Sequence, residues 1–167
     1  MAIEESPLSF AASKISILLE LVKFRITVLV SFTTALGYFL ASSNLGFAFV
    51  YPVVGIFLLA CSSAALNQYQ EVNTDMMMDR TKNRPIPSGK ISRNNVLIIS
   101  ILLLVAGTSI LFFKTNLGTL FTGLLTFYWY NAVYTPLKKK TALAIVPGSL
   151  VGALPPCLLY TSPSPRD

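Results

Sequence analysis

The sequence lacks histidine altogether and has few charged residues, which make up 12% of its 167 residues. In ordinary soluble domains roughly a quarter of the residues are charged. Without imidazole, the chain cannot use histidine as a base, nucleophile or metal ligand, so any chemistry depends on carboxylates, amides and cations. The two cysteines, Cys61 and Cys157, stand in apolar surroundings without the spacing of a zinc site or redox pair. These deficits exclude an ordinary soluble enzyme core.

Hydrophobic residues instead make up 53% of the chain, in runs about as long as the ~20 residues that cross a bilayer. We predict an all-α, polytopic transmembrane helical bundle with four complete spans and part of a fifth. The complete spans lie at 26–40, 46–66, 96–113 and 117–134, and the fifth begins near Ala142. Ahead of the spans we expect a leader and interfacial helix over residues 1–25, with 1–14 exposed and 15–25 at the membrane surface.

The basic residues lie almost entirely on one side of the predicted spans. Lysine and arginine in short loops stay on the cytoplasmic side of a membrane. Apart from Arg166, only Lys114 is on the far side, whereas the near side holds Lys14, Lys23, Arg25, Arg80, Lys82, Arg84, Lys90, Arg93, Lys138, Lys139 and Lys140. We therefore predict a multi-pass protein of the bacterial inner membrane, or of the mitochondrial inner membrane, with loop 67–95 on the cytoplasmic or matrix side. The net charge of +6 reflects this topology and does not indicate nucleic-acid binding.

The longest polar stretch begins where the second predicted span ends. In it, Asn67, Glu71, Asp75 and Asp79 are each four residues apart, which places them on one face of a helix. Carboxylates at that spacing repel one another and need cations. The compensating positive charge can come from Mg²⁺, which prefers carboxylate and amide oxygens, or from the basic segment 80–84 that follows.

Acids that hold Mg²⁺, beside arginine and lysine that hold phosphate oxygens, are suited to binding a diphosphate. A diphosphate neutralised in this way is a good leaving group, and at a membrane surface such a substrate would carry a lipid tail. The alternative is a helix end whose solvated charges are balanced by its own arginines. A transporter is disfavoured, because its polar residues typically lie at mid-bilayer on broken helices.

The polar stretch resembles the first aspartate-rich motif of the UbiA-like intramembrane prenyltransferases. That motif has an asparagine, acids four and eight residues later, an arginine and an Arg-Pro pair, which here are Asn67, Glu71, Asp75, Arg80 and Arg84-Pro85. Within the superfamily, three segments most resemble the protoheme IX farnesyltransferases (haem O synthases): MMMDRTKNRPIPSGKIS at 76–92, YTPLKKKT at 134–141 and PGSLVGALPP at 147–156. We therefore interpret residues 26–156 as the N-terminal part of a transmembrane prenyltransferase domain.

The resemblance implies Mg²⁺-dependent transfer of a farnesyl group from farnesyl diphosphate to a vinyl group of haem B, which makes haem O. It assigns catalytic and metal-binding roles to Asn67, Glu71 and Asp75. Diphosphate-binding roles fall to four cations: Arg25, Arg80, Arg84 and Lys138. Arg25 matches the arginine of the Lys-Pro-Arg motif with which the family's domain usually opens, although Phe24 here replaces the proline. Lys138 matches the lysine of the family's tyrosine and lysine signature in the later cytoplasmic loop.

Other interpretations of the same residues stay open. The acceptor could instead be a quinone precursor or another aromatic lipid, and the chain could be a membrane fragment without catalytic function. The aromatic cluster 127–134 could stabilise an allylic cation by cation–π contact, but an aromatic belt at the membrane interface together with helix packing is the favoured explanation.

The end of the sequence departs from the family pattern. The resemblance implies about nine transmembrane helices and a second acid-rich helix, but no acid follows residue 92 until Asp167. The string CLLYTSPSPRD at 157–167 resembles a translated sequencing adapter. We expect native sequence only as far as Pro156, and we expect the 167-residue chain to be inactive by itself.

Overall fold

The computed structural model describes residues 7–41, 46–141, 146, 148–150 and 152–153. Segment 157–167, which we expect not to be native, lies outside these residues, as does most of the predicted fifth span. The described residues form helices and connecting turns without a β-strand. The predicted all-α fold is therefore confirmed.

Six α-helices follow one another between residues 7 and 137 of the described chain. They are α1 (Pro7–Leu21), α2 (Phe24–Ala41), α3 (Val50–Met77), α4 (Arg93–Lys114), α5 (Leu117–Tyr128) and α6 (Thr135–Leu137). A short 3₁₀ helix, Phe47–Phe49, leads into α3, and a π-helical turn, Trp129–Tyr134, joins α5 to α6. Helix α1 begins inside the segment expected to be an exposed leader, and it ends before the chain turns at residues 22–23 into α2.

The long helices agree with the predicted spans, except that α3 continues well past residue 66. It carries Asn67, Glu71 and Asp75 with it, but it ends at Met77. Met78 is extended, with φ −103° and ψ 125°, so Asp79 leaves the helical face. The prediction that Asp79 shares the stripe is therefore wrong: its side chain is 98% exposed and pairs with Lys82 at 2.8 Å.

Side-chain caps begin the two helices that follow the polar loop. The Ser92 hydroxyl accepts a hydrogen bond from the Asn95 backbone N–H at 3.2 Å, which starts α4. The Asn116 side-chain oxygen accepts one from the Thr119 N–H at 2.7 Å, which starts α5. Serine and asparagine are preferred at this position because they satisfy N–H groups that the helix leaves unpaired. The Asn116 cap lies in the short turn between α4 and α5, and it lets α5 begin directly after that turn.

Helix α3 is the centre of the bundle and contacts α1, α2, α4 and α5. Small residues let its backbone approach α4 closely, as is common between membrane helices. The Ser62 hydroxyl donates to the Ser100 carbonyl at 2.7 Å, and the Ser100 hydroxyl donates to the Ser62 carbonyl at 3.0 Å. Gly55 and Gly107 face each other at the same interface. These contacts hold α3 in place for the side chains at its end.

Within the part of the chain that the structure describes, two helical segments have the length of membrane helices, and several helices expose apolar surface. Two helical segments, Phe47–Met77 and Arg93–Lys114, are long and apolar enough to cross a bilayer, and Phe24–Leu40 is a shorter apolar helix. Large apolar side chains are exposed on α2, α4 and α5, among them Leu40, Leu102, Phe113 and Phe121. Such a surface is suited to contact with lipid or other apolar helices. The number of spans stays a prediction.

Replacing Gly107 with alanine is expected to force α4 away from α3. A Cβ atom there would lie 3.0 Å from the Gly55 carbonyl oxygen and 3.2 Å from the Leu59 backbone nitrogen, and backbone atoms cannot move aside as side chains can. We expect a loss of about 1–3 kcal/mol, typical of overpacking, measured by unfolding in mixed micelles. Gly46→Ala is the matched control, because a Cβ at Gly46 would meet no atom within 4 Å. Equal unfolding midpoints for the two variants would contradict this view of the interface.

Candidate active site

The last turns of α3 carry a polar stripe that is buried. Asn67, Glu71 and Asp75 are 0%, 7% and 4% exposed, respectively. Their spacing of four residues places them on one face, which here points into the bundle. Burying a carboxylate is costly unless the carboxylate is paired and hydrogen-bonded. These groups are therefore not the solvated helix end that the sequence left as an alternative.

Both carboxylates have a partner on each oxygen. Glu71 Oε2 accepts a hydrogen bond from Asn67 Nδ2 at 2.7 Å, and Glu71 Oε1 lies 2.9 Å from Lys138 Nζ. Both oxygens of Asp75 accept from Arg84 Nη1, each at 2.7 Å. Lys138 Nζ also lies 3.4 Å from Asn67 Oδ1. The structure thus brings together five of the seven predicted site residues as two contact groups, Asn67–Glu71–Lys138 and Asp75–Arg84. The groups lie one helical turn apart on α3, and together they are called the polar network.

The polar loop folds back over the end of α3 and carries Arg84 to Asp75. The Thr81 hydroxyl donates to the Asp75 carbonyl at 3.1 Å, which ties the start of the loop to the helix. Pro85 and Ile86 are buried and anchor its middle. Gly89 closes the turn with φ 73°, a conformation that favours glycine. The Arg-Pro pair is therefore placed by a folded loop and not by a helical repeat.

The π-helical turn supplies a tyrosine to the same network. The Tyr130 hydroxyl donates to Asn67 Oδ1 at 3.2 Å. The Tyr130 and Tyr134 rings are 5.4 Å apart, and Lys138 Nζ lies 5.4 Å from the centroid of Tyr134. An aromatic belt accounts for the exposed Tyr128, but it does not account for Tyr130. Residues two apart point to nearly opposite sides of a helix, so spacing separates Tyr128 from Tyr130 but does not indicate which of them faces the bundle.

Two of the predicted cations lie away from the network. Arg25, on the first turn of α2, and Arg80, in the polar loop, are both exposed. Among the residues that the structure describes, neither forms a hydrogen bond or ion pair with Asn67, Glu71 or Asp75. Their assignment to diphosphate binding therefore has no support from the contacts.

Lys23, which the sequence analysis did not select, lies within the electric field of the site. Its burial lowers the pKa of the Lys23 ammonium below the ordinary value, and repulsion from Arg84 and Lys138 lowers it further. Glu71 and Asp75 act in the opposite direction. The sequence could have indicated Lys23, because it stands at the lysine of the same Lys-Pro-Arg motif from which Arg25 was assigned to diphosphate binding.

Gln68 holds the backbone turn in which Lys23 lies. The Gln68 amide donates to the carbonyls of Glu20 and Leu21, at 3.2 and 3.0 Å, and so satisfies the end of α1. Lys23 follows with φ 51°, in the left-handed region. This tight break between α1 and α2 sets Lys23 beside α3.

An apolar cavity of about 160 Å³ adjoins the polar network between α2, α3 and α5. Lys23, Ser63 and Tyr130 are among its lining residues. They lie near the network, because Tyr130 bonds Asn67, Ser63 is one turn before Asn67 on α3, and the charges of the network act on Lys23. Val30, Ile56, Leu59, Gly123 and Phe127 are among the residues that line the remainder. The site therefore combines a charged end with an apolar chamber.

The donor set fits magnesium when a ligand supplies further oxygens. Among the described residues, no three acidic, cysteine or histidine side chains converge to form a metal site on their own. The network offers two carboxylates and one amide oxygen, from Glu71, Asp75 and Asn67. Mg²⁺ is commonly held by one or two carboxylates together with substrate phosphates. These three residues could therefore hold the metal only together with a ligand such as a diphosphate.

Replacing Arg84 with alanine is expected to destabilise the protein strongly. Asp75 would stay buried without the cation that contacts both of its oxygens, and breaking a buried pair in this way costs on the order of 3 kcal/mol. Thermal unfolding in detergent measures the loss. Lys82→Ala is the matched control, because the Lys82–Asp79 pair is exposed and such pairs contribute little. If both variants unfold at the same temperature, the Arg84 pair is not a structural support.

Comparisons with known proteins agree with the predicted resemblance. Residues 30–162 match the UbiA prenyltransferase family. The chain is 37% identical over 146 residues to the protoheme IX farnesyltransferase of Christiangramia forsetii, covering 87% of this chain and 48% of that protein. It is 36% identical over 149 residues to that of Cytophaga hutchinsonii, covering 88% and 52%. With the human mitochondrial protoheme IX farnesyltransferase it shares 37% over 147 residues, covering 87% and 33%.

The chain spans about half the length of the bacterial curated relatives it matches. Its fold is also similar to a solved structure described as "Structural and mechanistic insights into the biosynthesis of Digeranylgeranylglyceryl phosphate synthase in membranes". The TM-score is 0.76 at 21% identity, over 88% of this chain and 52% of that one. This likeness supports the membrane-protein fold, and the family match covers most of the chain. The chain belongs to the UbiA prenyltransferase family, whose members are transferases.

Proposed function

We propose that this chain provides the diphosphate-binding site of a protoheme IX farnesyltransferase. The whole protein would transfer a farnesyl group from farnesyl diphosphate to a vinyl group of haem B and so make haem O. The acceptor is taken from the names of the relatives. The observation that supports the donor is the pairing of two buried carboxylates with Arg84 and Lys138 beside an apolar cavity.

The two ion pairs suggest how a charged substrate enters a buried site. In the structure, Arg84 and Lys138 contact Asp75 and Glu71. On substrate binding they would turn to the phosphate oxygens, and arginine is well shaped for contact with two such oxygens. The carboxylates, with Asn67, would then hold Mg²⁺. When bound, Mg²⁺ neutralises charge on the diphosphate and so makes it a better leaving group. Each buried charge keeps a partner of opposite sign throughout this exchange.

The cavity provides a place for the isoprenoid tail. Its charged end, beside Lys23 and Tyr130, would lie at the diphosphate, and its apolar walls would hold the tail. Lys138 and Tyr130 would keep the allylic end of the substrate between the cations and the cavity. The proposal puts the charged end at the cytoplasmic face of a bacterial inner membrane, following the distribution of lysine and arginine.

The first test is Mg²⁺-dependent binding of farnesyl thiodiphosphate, an unreactive analogue, to the chain in lipid nanodiscs. Trp129, the chain's one tryptophan, lies next to Tyr130 and provides a fluorescence signal. Asp75→Asn is expected to weaken binding at least about tenfold, because it removes a charged metal ligand. Asp79→Asn is the matched control, since Asp79 is exposed and outside the network, and it should bind normally.

Equal affinity for the Asp75→Asn and Asp79→Asn variants would reject the site. The acceptor is tested separately, by joining residues 1–156 to the remaining half of the Christiangramia forsetii relative. Conversion of haem B to haem O by this chimaera supports the proposed reaction. Binding of the donor analogue without haem O formation would indicate a different acceptor or an incompatible junction, and a chimaera that prenylates an aromatic quinone precursor instead would reject haem B.

Gly123→Ala is expected to reduce the room for the tail without affecting the diphosphate end. A Cβ atom at Gly123 would lie 3.1 Å from Leu59 Cδ1 and 3.3 Å from Ile56 Cδ1, and both of these side chains line the cavity. Their displacement should weaken farnesyl thiodiphosphate binding about threefold or more, through lost apolar contact. Inorganic diphosphate, which has no tail, is the internal control. If the affinity for both ligands falls equally, the cavity does not hold the tail.

A further inference from the structure

The helix that carries Tyr130 is interrupted at the site. Trp129–Tyr134 forms a π-helical turn between α5 and α6. Such turns are rare, and they occur frequently at functional sites. The Thr135 hydroxyl donates to the Tyr130 carbonyl at 2.8 Å, and the Thr135 N–H bonds the same carbonyl. The turn thus has a defined register.

Asn131 ties this turn to the central helix. It is 5% exposed, and its amide nitrogen donates to Ser63 Oγ at 2.6 Å and to the Phe127 carbonyl at 2.9 Å. Phe127 is near the end of α5, where the backbone hydrogen bonds change from the α-helical to the π-helical pattern. Ser63 lies one turn before Asn67 on α3. One side chain therefore joins the irregular turn to the helix that carries the acids.

Asn131 makes none of the described contacts with Glu71, Asp75 or Asn67. Its backbone neighbour Tyr130 does reach the network, through the hydrogen bond to Asn67 Oδ1. Anchoring the turn at Ser63 sets the rotation of the helix at residue 131, and this rotation decides where the adjoining tyrosine points. We propose that Asn131 is a positioning residue that, by binding Ser63 and the Phe127 carbonyl, holds the Tyr130 hydroxyl against Asn67.

The serine pair between α3 and α4 provides a close comparison. Ser62 is adjacent to Ser63, and it also forms a buried hydrogen bond to another helix, through Ser100. That contact leads away from Tyr130. Loss of the Ser100 hydroxyl therefore measures what an interhelical hydrogen bond contributes to stability alone, whereas loss of the Asn131 amide also releases the tyrosine.

The inference rests on the proposed function only for its ligand, so two readouts are used. The first needs no ligand: Trp129 begins the π turn, and its emission in the free chain should shift in Asn131→Ala and Ser63→Ala but not in Ser100→Ala. The second is the affinity for inorganic diphosphate with Mg²⁺ in nanodiscs. We expect Asn131→Ala to weaken it about five- to tenfold, the value of one hydrogen bond, and Ser100→Ala to lower only the unfolding temperature.

A double substitution separates positioning from general structural support. If Asn131 acts through Tyr130, Asn131→Ala should change the affinity less than about twofold in a Tyr130→Phe background, because coupled residues are not additive. Ser63→Thr, which keeps the hydroxyl, should retain the affinity that Ser63→Ala loses. Ser63→Ala also provides the test if Asn131→Ala does not fold.

Two results would overturn the inference. One is wild-type emission and affinity in the Asn131 and Ser63 variants. The other concerns the double variant: if its loss of affinity equals the product of the losses caused by Asn131→Ala and Tyr130→Phe alone, the two residues act independently. If the wild-type chain itself fails to bind diphosphate with Mg²⁺, the proposed function is rejected, and the Trp129 emission alone decides whether Asn131 holds the turn.

Discussion

The buried carboxylates of Glu71 and Asp75 are the constraint on which the rest of this structure depends. A charge at the edge of a membrane interior is costly without a partner, and each acid has a cation in direct contact. The cations come from separate segments, Arg84 from the loop after α3 and Lys138 from the end of α6. Pairing the acids therefore requires both segments to fold against α3. The same contacts that stabilise the bundle assemble the site.

Much of this arrangement could be predicted from the sequence. Spacing of four residues placed Asn67, Glu71 and Asp75 on one helical face, and the structure has them there because α3 continues past its apolar part. The same rule failed at Asp79, because periodicity does not indicate where a helix ends, and α3 ends at Met77. Length and hydropathy predicted the long helices well, since a bilayer leaves few alternatives to a helix.

The remaining site residues depend on irregular backbone, which periodicity does not describe. Lys23 lies in a left-handed turn and Tyr130 in a π-helical turn, and each is set by one buried amide side chain, Gln68 or Asn131. Buried amides on apolar helices are visible in the sequence, but their partners are not. The exposed Arg25 and the half-buried Lys23 are only two residues apart. The Lys-Pro-Arg motif contains both positions, but it does not indicate which of them lies nearer the acids.

The conformation of Lys23 shows a conflict between stability and charge. A non-glycine residue in the left-handed region costs roughly 1–2 kcal/mol, and glycine at that position would remove most of this cost. The chain nevertheless has a lysine there, half-buried and in the field of two other cations. The most stable sequence for this turn therefore differs from the observed one. A search for stabilising substitutions would select this position early, and it would remove a positive charge from the lining of the cavity.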